Sequence, residues 1–129
     1  MSSNSLGLVA LLVHDYDEAI RFYTQALRFR LREDSDRGGG RRWVVVAPGE
    51  GGAGLVLVRA EDAARQALVG RQCGDSVFLF LDSADFWSDY AHMRAHGVRF
   101  AEEPREEAYG TVVVFHDLYG TKWDLLQRK

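Results

Sequence analysis

The spacing of apolar residues predicts a strand, a helix and three further strands in the first half of the chain. Residues 6–13 form a continuous apolar run of strand length, and Asp15 followed by Glu18 has the spacing of a helix start. Beyond that helix the apolar residues alternate or form short runs between glycine-rich segments. These runs predict strands over residues 28–33, 41–47 and 55–59.

The second half repeats this order of elements. Residues 76–81 have the apolar pattern of a strand, and residues 83–97 have that of a helix that ends at Gly97. The remaining apolar segments predict strands over residues 98–102, 111–116 and 121–127.

A constant offset of 68 relates the two halves, because it maps Asp17 onto Asp85 and Val44 onto Val112. An internal repeat of this length indicates duplicated modules. We therefore predict the α+β class, with two tandem βαβββ modules in a single domain. The predicted divisions of residues 1–129 are module 1 over about 6–60, a connector over 61–74 and module 2 over about 75–128.

Composition narrows the range of partners and locations. The formal net charge is −3, so the chain has no overall basic field, which argues against a nucleic acid or an anionic membrane as partner. Cys73 is the single cysteine and has no internal disulfide partner. The segment MSSNSLGLVALLV lacks the features of a signal peptide, and no apolar run approaches the roughly 20 residues that span a bilayer. These features predict a cytoplasmic protein.

Two motifs resemble the vicinal oxygen chelate superfamily, which includes glyoxalase I, bleomycin-resistance proteins and extradiol dioxygenases. Residues 13–23 contain V-x-D-x-x-x-A-x-x-F-Y, and residues 115–125 contain F-x-D-x-x-G-x-x-W-D-L. Arg28 departs from the family pattern, which usually has glycine there, and Leu118 replaces a usual proline. The resemblance implies that the modules form an open, glyoxalase-like barrel around a cavity and that the protein is a homodimer.

The resemblance also implies where a family metal would be bound. Ligands in metal-dependent members come from the first and last strands of each module. In this chain those positions are Leu8, Val56, Ser76 and Asp124. A catalytic divalent metal normally takes about three ligands from His, Asp, Glu or Cys, and only Asp124 meets that requirement. We therefore predict no metal and no cofactor.

Asp124 is the candidate catalytic residue. An aspartate that faces a cavity is costly to bury alone, so it contacts a ligand, stays hydrated or meets a donor. One interpretation is an acid–base group, and the other is a structural carboxylate bonded to Ser76 or an arginine.

Large rings on predicted strands indicate a small-molecule site. Aromatic and apolar walls with a few polar groups are typical of ligand cavities, although the same rings also fill protein cores. Alternation places Ser76, Phe78 and Phe80 on one face. The candidate ligand-binding residues are Trp43, Ser76, Phe78, Phe80, Tyr109 and Trp123.

Three other patterns carry weaker indications. His92 and His96 have the spacing of paired metal ligands, but both fall opposite the apolar face of their helix. Residues 49–54, GEGGAG, match a dinucleotide-binding string but precede a strand, so a turn is favoured. A further set of arginines either steers an anion or forms a solvated strand face; its members are Arg28, Arg30, Arg32, Arg41 and Arg42.

Three functions remain open from the sequence. The first is metal-free binding of a small aromatic or amphipathic molecule. The second is a metal-independent enzyme that uses Asp124 as an acid–base group, with His14 or His116 nearby. The third is a metal-dependent lyase or dioxygenase, against which the ligand positions count.

Overall fold

The computed structural model describes residues 2–129, which form two compact units divided between Gln66 and Ala67. Each unit contains one sheet and at least one helix, and this confirms the predicted α+β class. Within residues 2–129 no helix is both long enough and apolar enough to cross a membrane.

The first unit has the predicted order of strand, helix and three strands. The elements are β1 (Leu8–Val13), α1 (Tyr16–Arg21), a π-helical turn (Phe22–Ala26), β2 (Arg30–Gly38), β3 (Arg41–Ala47), β4 (Gly54–Arg59) and α2 (Ala63–Gln66). The sheet order is β1-β4-β3-β2, with β1 parallel to β4 and the other pairs antiparallel.

Side-chain alternation separates the two faces of this sheet. Val44, Val46 and Leu57 are buried on the face that α1 covers, where apolar burial stabilises the unit. Val56 is half-buried and Trp43 is 36% exposed on the opposite face. The exposed ring therefore stands at the edge of an apolar surface.

The second unit repeats the arrangement, with two short strands in the place of β2. The elements are β5 (Leu79–Asp82), α3 (Phe86–Ala95), β6 (Arg99–Phe100), β7 (Arg105–Glu107), β8 (Gly110–His116) and β9 (Lys122–Arg128). The sheet order is β5-β9-β8-β6, β5 is parallel to β9, and β7 also pairs with β8. The strand predicted over 76–81 begins later, the one over 98–102 is shorter, and β7 was not predicted.

The constant offset of 68 is wrong for the first strand and helix of each unit. The helix caps are Asp15, which accepts from Glu18 N at 2.8 Å, and Asp85, which accepts from Ser88 N at 3.3 Å. The cap positions differ by 70, because 85 minus 15 is 70. A deletion in a loop changes the offset between the two halves, and a comparison without gaps does not detect it. Asp85 was therefore matched with Asp17 rather than with Asp15.

The strand pairs carry the same correction. Ala10 pairs with Val56, and Phe80 pairs with Asp124. The offset is therefore 70 for the first strands and 68 for the last, since 80 minus 10 is 70 and 124 minus 56 is 68. The counterpart of Leu8 in the second unit is thus Phe78 rather than Ser76.

Candidate functional site

The candidate catalytic residue lies in the middle of the second sheet. Asp124 on β9 pairs with Phe80 on β5 and with Val114 on β8. Directly paired residues project to the same face, so the carboxylate is flanked by two apolar side chains. Phe80 is 60% exposed, which leaves its ring accessible beside the carboxylate.

Burial controls the electrostatics of Asp124. Its Oδ1 atom is buried and has no hydrogen-bond partner among residues 2–129. Burial raises the pKa of Asp124, the positive charge of Arg105 lowers it, and the negative charge of Glu102 raises it. The pKa lies above its ordinary value as the sum of these effects. A carboxylate in this state holds a proton more readily than an exposed aspartate.

Arg105 and Glu102 form a fixed ion pair near Asp124. Arg105 Nε donates to both carboxylate oxygens of Glu102 at 3.0 Å, and Arg105 Nη1 donates to Glu107 at 2.6 Å. Glu102 also accepts from Val114 N at 3.1 Å, opposite Asp124 on the same strand pair. Sequence reasoning missed this cluster because EEPREE has no apolar period, although its charge density marks it as polar surface.

The structure brings some of the predicted ligand-binding residues to Asp124 and leaves others apart. Phe78 N donates to Lys122 O at 2.9 Å, so Phe78 extends β5 and shares a face with Phe80. Ser76 is exposed before β5, and its N–H donates to Cys73 O. Tyr109 is exposed next to β8, and its hydroxyl contacts Arg105.

Trp123 lies on the other face of β9. It is 3% exposed and stacks on Phe115 with ring centroids 5.8 Å apart. Adjacent residues on a strand point to opposite faces, so Trp123 and Asp124 do not share a surface. In this structure Trp123 belongs to the packed core behind the Asp124 face.

Trp43 lines a pocket in the first unit. The pocket has a volume of about 320 Å³ and lies where β3 begins and β4 ends. Trp43, Val56 and Val58 form an apolar part of its wall, and Tyr16 forms another aromatic part. A space of this size is at the lower end of the range for small-molecule sites.

The histidine pair and the GEGGAG segment do not form sites among residues 2–129. His92 and His96 are near each other on α3, with ring centroids 4.1 Å apart. Across residues 2–129 no group of three or more His, Cys, Asp or Glu side chains has the arrangement of a metal site. The GEGGAG segment is a turn before β4, and Arg32 donates to its Gly49 and Gly51 carbonyls at 2.7 and 3.1 Å.

Comparison with known proteins shows relatives over nearly the whole chain. The family model of the Glyoxalase/Bleomycin resistance protein/Dioxygenase superfamily matches residues 5–125. An uncharacterized protein of Shewanella frigidimarina (strain NCIMB 400) is 50% identical over 125 residues, which cover 95% of this chain and 93% of that protein.

Solved structures with the same fold are also similar in sequence. UcmS2 is 28% identical with a TM-score of 0.82, covering 97% of this chain and 98% of that chain. TnmS3, an antibiotic binding protein from Streptomyces sp. CB03234, is 27% identical with a TM-score of 0.80, covering 100% of this chain and 99% of that chain.

Proposed function

Since this chain belongs to the Glyoxalase/Bleomycin resistance protein/Dioxygenase superfamily, we propose that it binds a small aromatic or amphipathic molecule without a divalent metal. The pocket beside Trp43 carries this proposal, because it combines ring and valine surfaces in a volume that accommodates a small molecule. The name of TnmS3 describes that protein as antibiotic binding, which is compatible with a binding role here.

The donor set at the family's metal positions does not fit a metal. Leu8 and Val56 have hydrocarbon side chains, and the position in the second unit is Ser76 by the resemblance or Phe78 by strand register. Asp124 is then the one carboxylate among the four. Divalent metals in enzymes need about three strong donors, so we derive no chemical step through a metal.

The proposal assigns different roles to the predicted ligand-binding residues. Trp43 is the principal ring contact in the first unit, and Phe80 is the principal one in the second, because both rings are accessible. Phe78 and Tyr109 extend the ring surface of the second unit, and Ser76 is a polar position at its border. Trp123 supports the sheet from behind. The homodimer, the cytoplasmic location and the absence of nucleic-acid or membrane partners stay predictions.

Removal of an accessible ring is expected to weaken binding of a neutral aromatic probe. We expect Trp43→Ala to lower the affinity for N-phenyl-1-naphthylamine at least about tenfold, because interface aromatics carry much of a ligand's binding energy. Probe fluorescence measures the dissociation constant, and a loss in Phe80→Ala alone would overturn the assignment to the Trp43 pocket and favour the second unit.

Trp87→Ala is the matched control for this experiment. Trp87 is also an exposed ring, 56% accessible, but it lies on α3 and not on the proposed surfaces. We expect its affinity for the probe to equal that of the unaltered protein. Equal affinity of all three variants, or no saturable binding by the unaltered protein, would overturn the proposal.

A second function is favoured by the state of Asp124. A carboxylate with a buried oxygen and a raised pKa suits an acid–base role at a less acidic pH than an ordinary aspartate. His116 lies on the same sheet face, since it is two residues from Val114 on β8. We propose metal-independent acid–base catalysis by Asp124 as the alternative to binding alone.

Asp124→Asn is expected to remove a pH-dependent loss of stability. Because the pKa of Asp124 is raised in the folded protein, the folded state binds the proton more tightly than the unfolded chain. Stability of the unaltered protein therefore falls as the pH rises through the interval between the two pKa values. Urea denaturation at a series of pH values measures the unfolding free energy of both proteins. As the pH rises through this interval, we expect the unfolding free energy of Asp124→Asn to increase relative to that of the unaltered protein.

Asp82→Asn is the control for this titration. Asp82 is an exposed carboxylate on the neighbouring strand, where it pairs with Arg128 at 3.1 Å. We expect no comparable divergence for it. If the stability of Asp124→Asn ran parallel to that of the unaltered protein at every pH, Asp124 would not be the perturbed carboxylate that the alternative requires.

A further inference from the structure

The pocket beside Trp43 is lined by an excess of positive side chains. One carboxylate, Glu61, contributes to the same wall. The arginines that line the pocket are Arg37, Arg41, Arg42, Arg59 and Arg65. Carboxylates outside the lining pair with some of these arginines, among them Glu33, Asp34 and Asp62, so the attraction of an anion depends on the guanidinium N–H groups that reach the pocket.

Two of these arginines are fixed parts of the wall. Arg42 and Arg59 lie over the Tyr16 ring, with the guanidinium carbons 5.2 and 5.4 Å from its centroid. Arg42 bonds both oxygens of Asp34, at 3.1 and 2.7 Å, and Arg59 pairs with Glu61 at 3.1 Å. Their guanidinium groups are therefore held in place.

The other three arginines are exposed, and Arg41 donates to Glu61 at 3.2 Å. The exposed fractions of their side chains are 55% for Arg37, 71% for Arg41 and 57% for Arg65. Arg37 lies 3.6 Å from Glu33 and Arg65 lies 3.7 Å from Asp62, both beyond ordinary hydrogen-bond distance.

These contacts leave the outer guanidinium groups able to turn toward an anion. Arg41 and Arg59 both pair with the Glu61 carboxylate, so one negative charge is shared by two positive charges. Exposed pairs of this type contribute little to stability, and exchange for an acidic group of a ligand requires little energy.

An aromatic ring and a positive charge lie next to each other at Trp43. The guanidinium carbon of Arg37 is 5.6 Å from the centre of the Trp43 ring, and Val56 and Val58 line the same pocket. A ligand with its rings against Trp43 therefore places a neighbouring substituent near arginine N–H groups. Arginine binds carboxylate, sulfonate and phosphate oxygens through paired N–H donors.

We infer that the natural ligand of this pocket is an aromatic or amphipathic anion, an inference that rests on the binding function proposed above. The rings contact the Trp43 surface, and the acidic group contacts the outer arginines. Attraction between the charges predicts that binding weakens as salt concentration rises.

Two probes with the same ring system separate the two proposals. The dye 8-anilinonaphthalene-1-sulfonate has a sulfonate, and N-phenyl-1-naphthylamine lacks it. We expect the folded protein to bind the sulfonate probe at one site per chain and at least about tenfold more tightly. Equal affinity for both probes would overturn the inference and leave the binding function in place. No binding of either would overturn both.

Substitution of the outer arginines tests whether they cause the tighter binding of the sulfonate probe. We expect the double variant Arg37→Gln with Arg41→Gln to lose about tenfold in affinity for the sulfonate probe, so that the sulfonate probe no longer binds more tightly than the neutral one. Arg30→Gln is the matched control, since Arg30 is exposed in the same unit, pairs with Glu50 and does not line the pocket. An equal loss in the control would show a general charge effect and overturn the inference.

Discussion

Gly70→Ala is expected to destabilise the second unit by at least about 4 kcal/mol, enough to prevent folding of a marginally stable protein. A methyl group at this position would lie 2.0 Å from the carbonyl oxygen of Tyr119 and 2.9 Å from its carbonyl carbon. Both neighbours are backbone atoms, so no side-chain rotation relieves the overlap. Urea denaturation, together with circular dichroism of the soluble fraction, measures the loss.

Gly74→Ala separates the steric effect from the backbone effect. Gly74 has a φ of +61° and Gly70 has a φ of +79°, so alanine is unfavourable at both. No atom lies within 4 Å of a methyl group at position 74. We expect a loss of about 1 kcal/mol there. Similar losses in the two variants would contradict the close approach of residue 70 to the Tyr119 turn.

Asp117→Ala is expected to lower the unfolding free energy by about 3 kcal/mol. Asp117 is 3% exposed, and its Oδ1 accepts hydrogen bonds from the N–H groups of Tyr119 at 3.1 Å and Thr121 at 2.9 Å. Alanine leaves both donors without this acceptor inside the protein. The turn leads directly into β9, so the same change should disturb the position of Asp124.

Asp117→Asn retains an acceptor oxygen and serves as the control. Its hydrogen bonds are weaker without the negative charge, and we expect a loss of about 1 kcal/mol. Thermal and urea unfolding of both variants provide the comparison. If the alanine variant were as stable as the asparagine variant, the buried turn would not depend on the Asp117 carboxylate.

Local patterns in the sequence predict much of the fold, because helix caps, strands and turns depend on interactions between residues that are close in sequence. The strand predicted over 41–47 is confirmed as β3. Asp15 is confirmed as a helix cap, and a bond from Gly120 N to Asp117 O at 3.1 Å closes the turn before β9. Arg28, at the position where the family has glycine, adopts a φ of +59°, which only glycine adopts without strain.

The features of the candidate sites that the sequence did not predict depend on contacts between residues that are distant in sequence. Glu102 and Arg105 approach Asp124 only through pairing of β7 and β8. The Trp43 pocket joins Tyr16 to Arg59 across the sheet, which no local pattern records. The two-residue difference between modules lies in loops that an ungapped repeat does not detect. Alternation along a strand does predict from the sequence that Trp123 and Asp124 point to opposite faces of the sheet.

Metal-independent aromatic binding is tested most directly by titrating N-phenyl-1-naphthylamine into tag-free protein in the presence of EDTA, and again after adding Ni²⁺, Zn²⁺ and Mn²⁺. We predict saturable binding in EDTA, with the same affinity after the metals are added. Binding that appears only with a metal and disappears in Asp124→Ala would contradict the account and indicate metal-dependent chemistry. No saturable binding under either condition would contradict it as well.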